Sequence, residues 1–161
     1  MSENANELDD DGDEVLRWVT FELDSETYCI SVSDVREVLR FTEIAPVPGS
    51  PEYVVGIINL RGNVVTVIDT RRRFGLVPSE VDDSTRIVII DIDGQEVGIL
   101  VDSVAEVVDL RVSAIEAAPN VGNEDTSRYI QGVTSREGQL LIIIDLNKLL
   151  SEEELQEINS F

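Results

Sequence analysis

The sequence contains no histidine. This absence removes the usual general base near neutral pH, the Ser–His and Cys–His nucleophile pairs and most zinc sites. The Gly-Lys-Ser/Thr ending of a phosphate-binding loop and the pattern GxGxxG are also missing, so no motif supports nucleotide binding. We therefore expect a protein that is not an enzyme and that carries no metal and no cofactor.

Cysteine and lysine each occur only once, as Cys29 and Lys148. A single cysteine excludes an internal disulfide, and the apolar setting YCISV favours a buried, unreactive thiol. No apolar run reaches the roughly 18 residues that cross a bilayer, and the N-terminus lacks the features of a secretory signal. The sequence thus predicts a cytoplasmic protein without direct membrane insertion.

Positive charge is scarce: the sequence has 12 basic and 33 acidic residues, and its net charge is −21. Residues 1–14 supply seven of the acidic side chains, and we expect this tail to be disordered. The acidic body should repel nucleic acid and anionic membranes, which leaves proteins as partners.

An acidic excess with almost no lysine is typical of salt-loving prokaryotes, although a generic acidic protein remains the alternative. At molar salt the Debye length is about 3 Å, so the surface would stop repelling itself. We expect the fold to be more stable in concentrated salt than in dilute buffer.

The rest of the sequence contains an internal duplication. Residues 17–41 align without a gap on residues 86–110, and residues 53–74 align on residues 129–150. At 161 residues the chain can bury one shared core, whereas each half alone would be marginal. We predict two intertwined subdomains, about 15–80 and 81–150, that are not necessarily contiguous in the chain.

Valine, isoleucine and leucine clusters favour a mostly β fold. Each half shows five short strands at hairpin spacing, the number for a small barrel. Strand pairs are predicted at 16–23 with 27–32, 57–60 with 63–69, 86–92 with 95–101, and 132–135 with 139–146. Helical turns are predicted within 33–39, 50–52, 103–109 and 125–127, and Ser151 with Glu154 forms a capping box before a closing helix.

Two acidic groups suggest chemistry at first sight. Asp91, Asp93 and Asp102 could belong to a calcium loop, but Gly94 falls too early and no glutamate closes the frame, so hairpin residues are the better interpretation. Asp82 and Asp83 lie in a polar stretch between the halves, which favours a solvated loop.

The segment YVVGIINLRGNVVTVIDTRRRF, residues 53–74, is the most specific pattern in the chain. Together with CISVSDVREVLRF, the Ala45-Pro46-x-Pro48 linker, GILVDSVAEVV and IIIDLNKLLS, it resembles the CheW-like domain family. That family comprises the CheW adaptor of chemotaxis and the regulatory domain at the end of the CheA histidine kinase. The resemblance covers residues 15–158, within a domain placed at 15–161.

The resemblance implies two pseudo-symmetric five-stranded SH3-like barrels with short helices and a C-terminal helix. It implies a non-catalytic adaptor that couples the cytoplasmic tips of chemoreceptors to the regulatory domain of CheA and is recruited to membrane receptor arrays. A regulatory CheW-like domain of a larger kinase is the alternative, followed by a small-ligand-binding β-barrel.

Carried over by position, the resemblance implies that Arg61 and Glu37 form an ion pair that acts in coupling; a purely structural pair is an equal alternative. It also assigns five residues to or near a receptor groove, although plain core positions are the alternative for the valines: Val35, Gly56, Gly98, Val104 and Val107. The run Arg71-Arg72-Arg73 either meets an acidic partner or offsets local acids at a strand end.

Overall fold

The structure, a computed structural model, describes residues 7–8, 14–117 and 127–159. Within these ranges the strands are β1 (Glu7–Leu8), β2 (Glu14–Leu23), β3 (Glu26–Ser31), β4 (Val35–Arg40), β5 (Val54–Leu60), β6 (Asn63–Asp69), β7 (Arg86–Ile92), β8 (Gln95–Val101), β9 (Ser103–Arg111), β10 (Ile130–Arg136) and β11 (Gln139–Ile144). The helices are α1 (Thr70–Arg73) and α2 (Glu152–Asn159), and single 3-10 turns lie at Val32–Asp34, Val112–Ala114 and Leu146–Lys148.

The strands form two sheets that exchange hairpins between the repeats. The first barrel has the order β4-β7-β8-β6-β5, and the second has β9-β2-β3-β11-β10 with the short β1 beside β2. The repeat-one hairpin β2–β3 therefore lies in the second barrel, and the repeat-two hairpin β7–β8 lies in the first. Parallel pairs join the repeats in both cases, β6 with β8 and β11 with β3.

Three apolar clusters hold this arrangement. One fills the first barrel around Val67, Ile87 and Ile89, and one fills the second around Trp18 and Cys29. The largest cluster lies between the barrels and takes residues from both repeats, among them Phe21, Tyr28, Phe74 and Tyr129. We call this contact between the barrels the seam; it makes one cooperative body out of two small units.

The mostly β fold with two SH3-like barrels is confirmed, and so is the capping box of α2. The Glu154 N–H donates to Ser151 Oγ at 3.1 Å, and the Ser151 N–H donates to Glu154 Oε1 at 2.9 Å. Cys29 is buried, and burial raises the pKa of its thiol to about 12, as expected for an unreactive side chain. None of the helices in the described part of the chain is long and apolar enough to cross a membrane.

Three of the four predicted helical turns are wrong in detail. Residues 33–39 hold only the end of a 3-10 turn before β4, residues 103–109 lie in β9, and 50–52 enter a turn closed by the Val54 N–H on the Pro51 carbonyl. β-Branched valines and the period-two burial of β4 explain the strands, because such side chains pack well on a pleated surface. Of the fourth turn, residues 125 and 126 lie outside the described residues, and residue 127 is helical, as predicted.

The acidic tail lies mostly outside the described residues. Its described part, Glu7–Leu8, pairs antiparallel with Val15 and Glu14 at the start of β2.

Candidate functional site

One cross-strand row in the first barrel links three of the seven predicted site residues. Glu37 is registered with Ile89, Ile89 with Gly98, Gly98 with Val67, and Val67 with Gly56. The row crosses all five strands of the barrel and begins at Glu37 on the edge strand β4. The fold thus brings Glu37, Gly98 and Gly56 into one line, although they are far apart in the sequence.

Glu37 and Arg61 form a two-bonded ion pair at the surface end of this row. Arg61 Nη2 donates to Glu37 Oε1 at 2.5 Å, and Arg61 Nη1 donates to Glu37 Oε2 at 3.2 Å. The hydrogen bond from Arg61 lowers the pKa of Glu37, and the same bond raises the pKa of Arg61. The Arg61 side chain is 68% exposed, so the pair is available to a partner and stabilises the fold little.

Arg61 occupies a backbone conformation that arginine rarely adopts. The β5–β6 turn has positive φ at both central residues, 52° at Arg61 and 86° at Gly62. Two-residue hairpins of this kind favour Asn-Gly, and a larger side chain in the left-handed region costs about 1–2 kcal/mol. An arginine at this position is therefore unfavourable for the turn, which is typical of a residue selected for its side chain.

The two glycines of the predicted groove lie inside the barrel wall. A Cβ on Gly56 would come within 2.2 Å of the Ala45 carbonyl oxygen, and a Cβ on Gly98 would come within 3.0 Å of Ile87 Cγ2. Both residues are buried. They allow close packing beneath the surface that carries the Glu37–Arg61 pair.

The three valines differ in exposure. Val35 and Val104, which are equivalent in the two repeats, are partly buried and pack against the seam cluster. Val107 is 56% exposed on β9, and its repeat equivalent Val38 is 42% exposed on β4. Sequence reasoning missed Val38, although aligning the repeats around Val107 would have found it.

The second barrel carries a weaker counterpart of the charged pair. Glu106 is the repeat equivalent of Glu37, and Arg136 Nη1 lies 4.0 Å from Glu106 Oε2 and 2.9 Å from Glu137 Oε2. The arginine stands one position before the turn residue Glu137, whose φ is 52°, whereas Arg61 is itself the turn residue. The one-residue offset leaves only the first barrel with a two-bonded pair.

All three arginines at 71–73 pair with acids of the protein itself, and two of them, Arg71 and Arg73, are mostly buried. Arg71 donates to both oxygens of Asp102, at 2.8 and 2.5 Å, and to the Val77 carbonyl at 2.8 Å. Arg73 donates to Glu154 Oε1 at 2.5 Å and to the Leu149 carbonyl at 2.9 Å. The interpretation as a strand-end cluster that offsets local acids is confirmed for these two residues.

The Arg71–Asp102 pair predicts an acid-dependent loss of stability. Burial opposes ionisation of Asp102, but hydrogen bonds from Arg71 and from the Asp24 N–H hold its pKa below the ordinary 3.8. Because the folded pKa is depressed, its contribution is present above pH 3.8 and disappears as pH falls through the lower native pKa. At constant high salt we expect Asp102→Asn to lose about 1–2 kcal/mol of unfolding free energy near neutral pH.

Urea unfolding of wild type and Asp102→Asn along a pH series measures this effect. The difference between them should shrink in acid, and a difference that persists unchanged below the native pKa would refute the role of this carboxylate. Asp109→Asn is the control, because its 3.2 Å contact with Arg17 is exposed on both sides.

Asp91 belongs to its hairpin. Its Oδ1 accepts from the Gly94 N–H at 2.8 Å and its Oδ2 accepts from Arg36 Nη2 at 2.9 Å, so both oxygens serve the β7–β8 turn and β4. In the described part of the chain no three acidic or cysteine side chains converge closely enough to hold a metal ion.

The family model described as a CheW-like domain matches residues 17–154. The chain belongs to the CheW-like domain family. Two relatives are called chemotaxis protein CheW: that of Bacillus subtilis (strain 168) is 39% identical over 140 residues, covering 87% of this chain and 90% of the relative. That of Treponema pallidum (strain Nichols) is 31% identical over 150 residues, covering 91% and 88%.

A solved structure agrees with the CheW-like fold. The crystal structure of the scaffolding protein TtCheW from Thermoanaerobacter tengcongensis has 37% identity and a TM-score of 0.78, and the similarity covers 84% of this chain and 92% of that chain. The resemblance stated from residues 53–74 and their companion segments is confirmed. The Glu37–Arg61 pair, the β5–β6 turn, and Val35 and Val104 beside the seam all lie within the matched region of this CheW-like domain.

Proposed function

We propose that this CheW-like domain is a chemotaxis adaptor that couples chemoreceptor tips to the CheA histidine kinase and supports array assembly. The observation that carries the proposal is the family match across residues 17–154, with relatives and a solved scaffold that cover most of both chains. The adaptor works by binding alone, without catalysis or cofactor. It acts in the cytoplasm at membrane receptor arrays.

The coupling surface is built around the Glu37–Arg61 pair and the neighbouring apolar positions. Arg61 supports this assignment because it is exposed and sits in a left-handed turn where its side chain costs stability. Val35 and Val104 flank the seam, and Val107 is exposed, which suits an amphipathic helical partner that needs aliphatic anchors. Gly56 and Gly98 act from beneath by fixing the shape of the barrel wall.

Surface charge sets the conditions of assembly. In concentrated salt, exposed ion pairs between partners are screened, so apolar burial must supply most of the affinity. We therefore propose that the adaptor assembles at high salt and that its affinity does not fall steeply when salt is added. High-salt adaptation accounts for the net charge of −21.

The test is co-sedimentation of this chain with a receptor signalling fragment and the regulatory domain of the kinase in multimolar potassium chloride. Wild type should assemble, and Arg61→Glu should lose at least about tenfold in ternary assembly because the change removes the exposed Arg61 guanidinium from the coupling surface. Arg61→Asn is the matched variant: it removes the charge but suits the turn, so we expect it to be as stable as wild type or more so, yet defective.

The charge exchange Glu37→Arg with Arg61→Glu separates interface from architecture. It restores a pair of opposite charges on the same two strands, so a structural pair would recover assembly while an interface pair would not. Full assembly by folded Arg61→Glu and Arg61→Asn would remove Arg61 from the coupling surface. Failure of wild type to assemble would refute the adaptor function itself.

A further inference from the structure

A cleft of about 400 Å³ lies away from the Glu37–Arg61 pair, where α1 of the first repeat meets the start of β10. Its size falls in the range of pockets that hold ligands or a few side chains. In a chain with only 12 basic residues, three arginines line this one cleft. The lining residues are Glu52, Tyr53, Arg72, Arg73, Gly75, Leu76, Pro78, Arg128 and Tyr129.

The floor of the cleft is rigid and aromatic. Tyr53 and Tyr129 are equivalent in the two repeats, and the Arg73 guanidinium lies between them, 4.4 Å and 5.5 Å from their ring centres. Its charge is already offset by Glu154. The Tyr53 hydroxyl is buried and makes no well-directed hydrogen bond with any described residue. Burial of the hydroxyl, and then the negative charge of the nearby Glu154 carboxylate, raise the pKa of Tyr53 to about 12.

The rim of the cleft carries the available positive charge. Arg72 is 41% exposed and contacts Asp69 at 3.6 Å and Glu52 at 3.0 Å; the Glu52 side chain is 85% exposed, so solvent weakens the pair with Glu52. Arg128 is exposed, lies 5.9 Å over the Tyr129 ring and forms no ion pair with any residue that the structure describes. An incoming carboxylate would therefore meet Arg128 without an acidic partner among the described residues, and it would compete only with the exposed Glu52 for the outer side of Arg72.

Comparison of the repeats shows that this charge is not a general property of the fold. Glu52 aligns with Arg128, and Arg72 aligns with Lys148. The first repeat thus has an acid and a base where the second has two bases, and the second includes the only lysine of the chain. At the aligned positions 52 and 128 the first repeat has a carboxylate and the second has a guanidinium, in a protein where acids outnumber bases by 33 to 12.

We propose that this cleft binds an acidic linear segment of a partner protein. Arg72 and Arg128 bind its carboxylates, the ring of Tyr129 supports Arg128 from below, and Leu76 with Pro78 packs against its aliphatic or backbone atoms. Arginine–aromatic surfaces of this kind recognise acidic motifs, and charge complementarity selects such a segment over a basic one. The apolar wall and the volume suit a peptide better than a single inorganic anion.

The probe is a fluorescein-labelled peptide Glu-Leu-Glu-Glu-Leu with blocked ends, and its control has glutamine in place of each glutamate. Binding to the full chain is measured by fluorescence anisotropy at the lowest potassium chloride concentration at which the chain is folded. We expect saturable binding of the acidic peptide only. Arg128→Glu, which installs the first-repeat residue, should weaken binding by about tenfold or more, because a charge-assisted hydrogen bond becomes a repulsion.

Arg40→Glu is the matched control, since Arg40 is also exposed and the change in net charge is identical. It should alter affinity by less than about twofold. Equal weakening by both variants, or equal binding of the glutamine peptide, would overturn the proposal. Competition by free glutamate or phosphate at the same concentrations would reassign the cleft to small anions, and tighter binding of a peptide of residues 1–13 would reassign it to this chain's own tail.

This cleft uses other elements than the coupling surface, so the two proposals fail separately. If Arg128→Glu loses peptide binding but still co-sediments with the receptor fragment and the kinase domain, the result supports the peptide-binding cleft and shows that it is separate from the coupling surface.

Discussion

Gly56→Ala is expected to remove about 3–4 kcal/mol from the free energy of unfolding. The added Cβ would lie 2.2 Å from the Ala45 oxygen and 2.7 Å from the Ala45 carbonyl carbon, and these are backbone atoms that cannot rotate away. Relief of the clash requires separation of residue 45 from β5. That movement breaks the two hydrogen bonds between Ala45 and Ile57, of 2.9 and 2.8 Å.

Denaturant unfolding in multimolar potassium chloride measures the loss, and Gly62→Ala provides the comparison. Gly62 has φ 86° but nothing within 4 Å of its added Cβ, so only the backbone preference changes, at about 1–2 kcal/mol. Similar losses for the two variants would contradict the packing argument. A Gly56→Ala protein of wild-type stability that failed to assemble would instead make Gly56 a direct partner contact.

Arg73→Leu has the second largest expected effect, a loss of about 3 kcal/mol. Its side chain is only 15% exposed, lies between Tyr53 and Tyr129, and binds both Glu154 and the Leu149 carbonyl across the seam. Leucine stands at the equivalent position, 149, of the second repeat, so the size is tolerated by one repeat. The variant leaves a partly buried carboxylate and a carbonyl without their donor.

The pH dependence of the unfolding free energy provides a second measurement for this variant. Burial opposes ionisation of Glu154, but the Ser151 N–H and Arg73 hold its pKa below 4.5. That contribution is present above pH 4.5 and disappears as pH falls through the native pKa, so the difference between wild type and Arg73→Leu should shrink in acid.

Arg72→Leu is the neighbouring control for Arg73→Leu. Arg72 is itself exposed, its 3.0 Å pair with Glu52 is open to solvent, and its 3.6 Å contact with the half-buried Asp69 is long, so we expect a loss below about 1 kcal/mol. Urea unfolding at constant salt measures both variants. If Arg72→Leu proves as costly as Arg73→Leu, the buried contacts across the seam are not the source of stability.

The hairpins could be predicted from sequence because their signals are local. Asp93-Gly94 and the strands beside it show the turn residues and alternation that specify a hairpin. The capping box at Ser151 and Glu154 is equally local and was confirmed. The serine that begins the segment 103–109 predicts a helical turn, but the long pairing of this segment with β2 outweighs a cap.

The site was predictable only in part. The Glu37–Arg61 pair follows from the family resemblance, and the structure brings the two side chains together. The row that joins Glu37 to Gly56 depends on the parallel pairing of β6 with β8, which no local pattern encodes. The placement of Arg73 between Tyr53 and Tyr129 likewise depends on how the barrels pack.

The exchange of hairpins makes each repeat insufficient by itself. A chain that held one repeat would lack two of the five strands of one barrel and three of the other, and it could complete them only by exchanging β-hairpins with an identical chain. Covalent joining of two such repeats replaces a concentration-dependent pair with a single chain. The two surfaces are then free to differ, and the pair Glu37–Arg61 on one side and the charge reversal from Glu52 to Arg128 on the other are differences that a symmetric dimer of one sequence could not have.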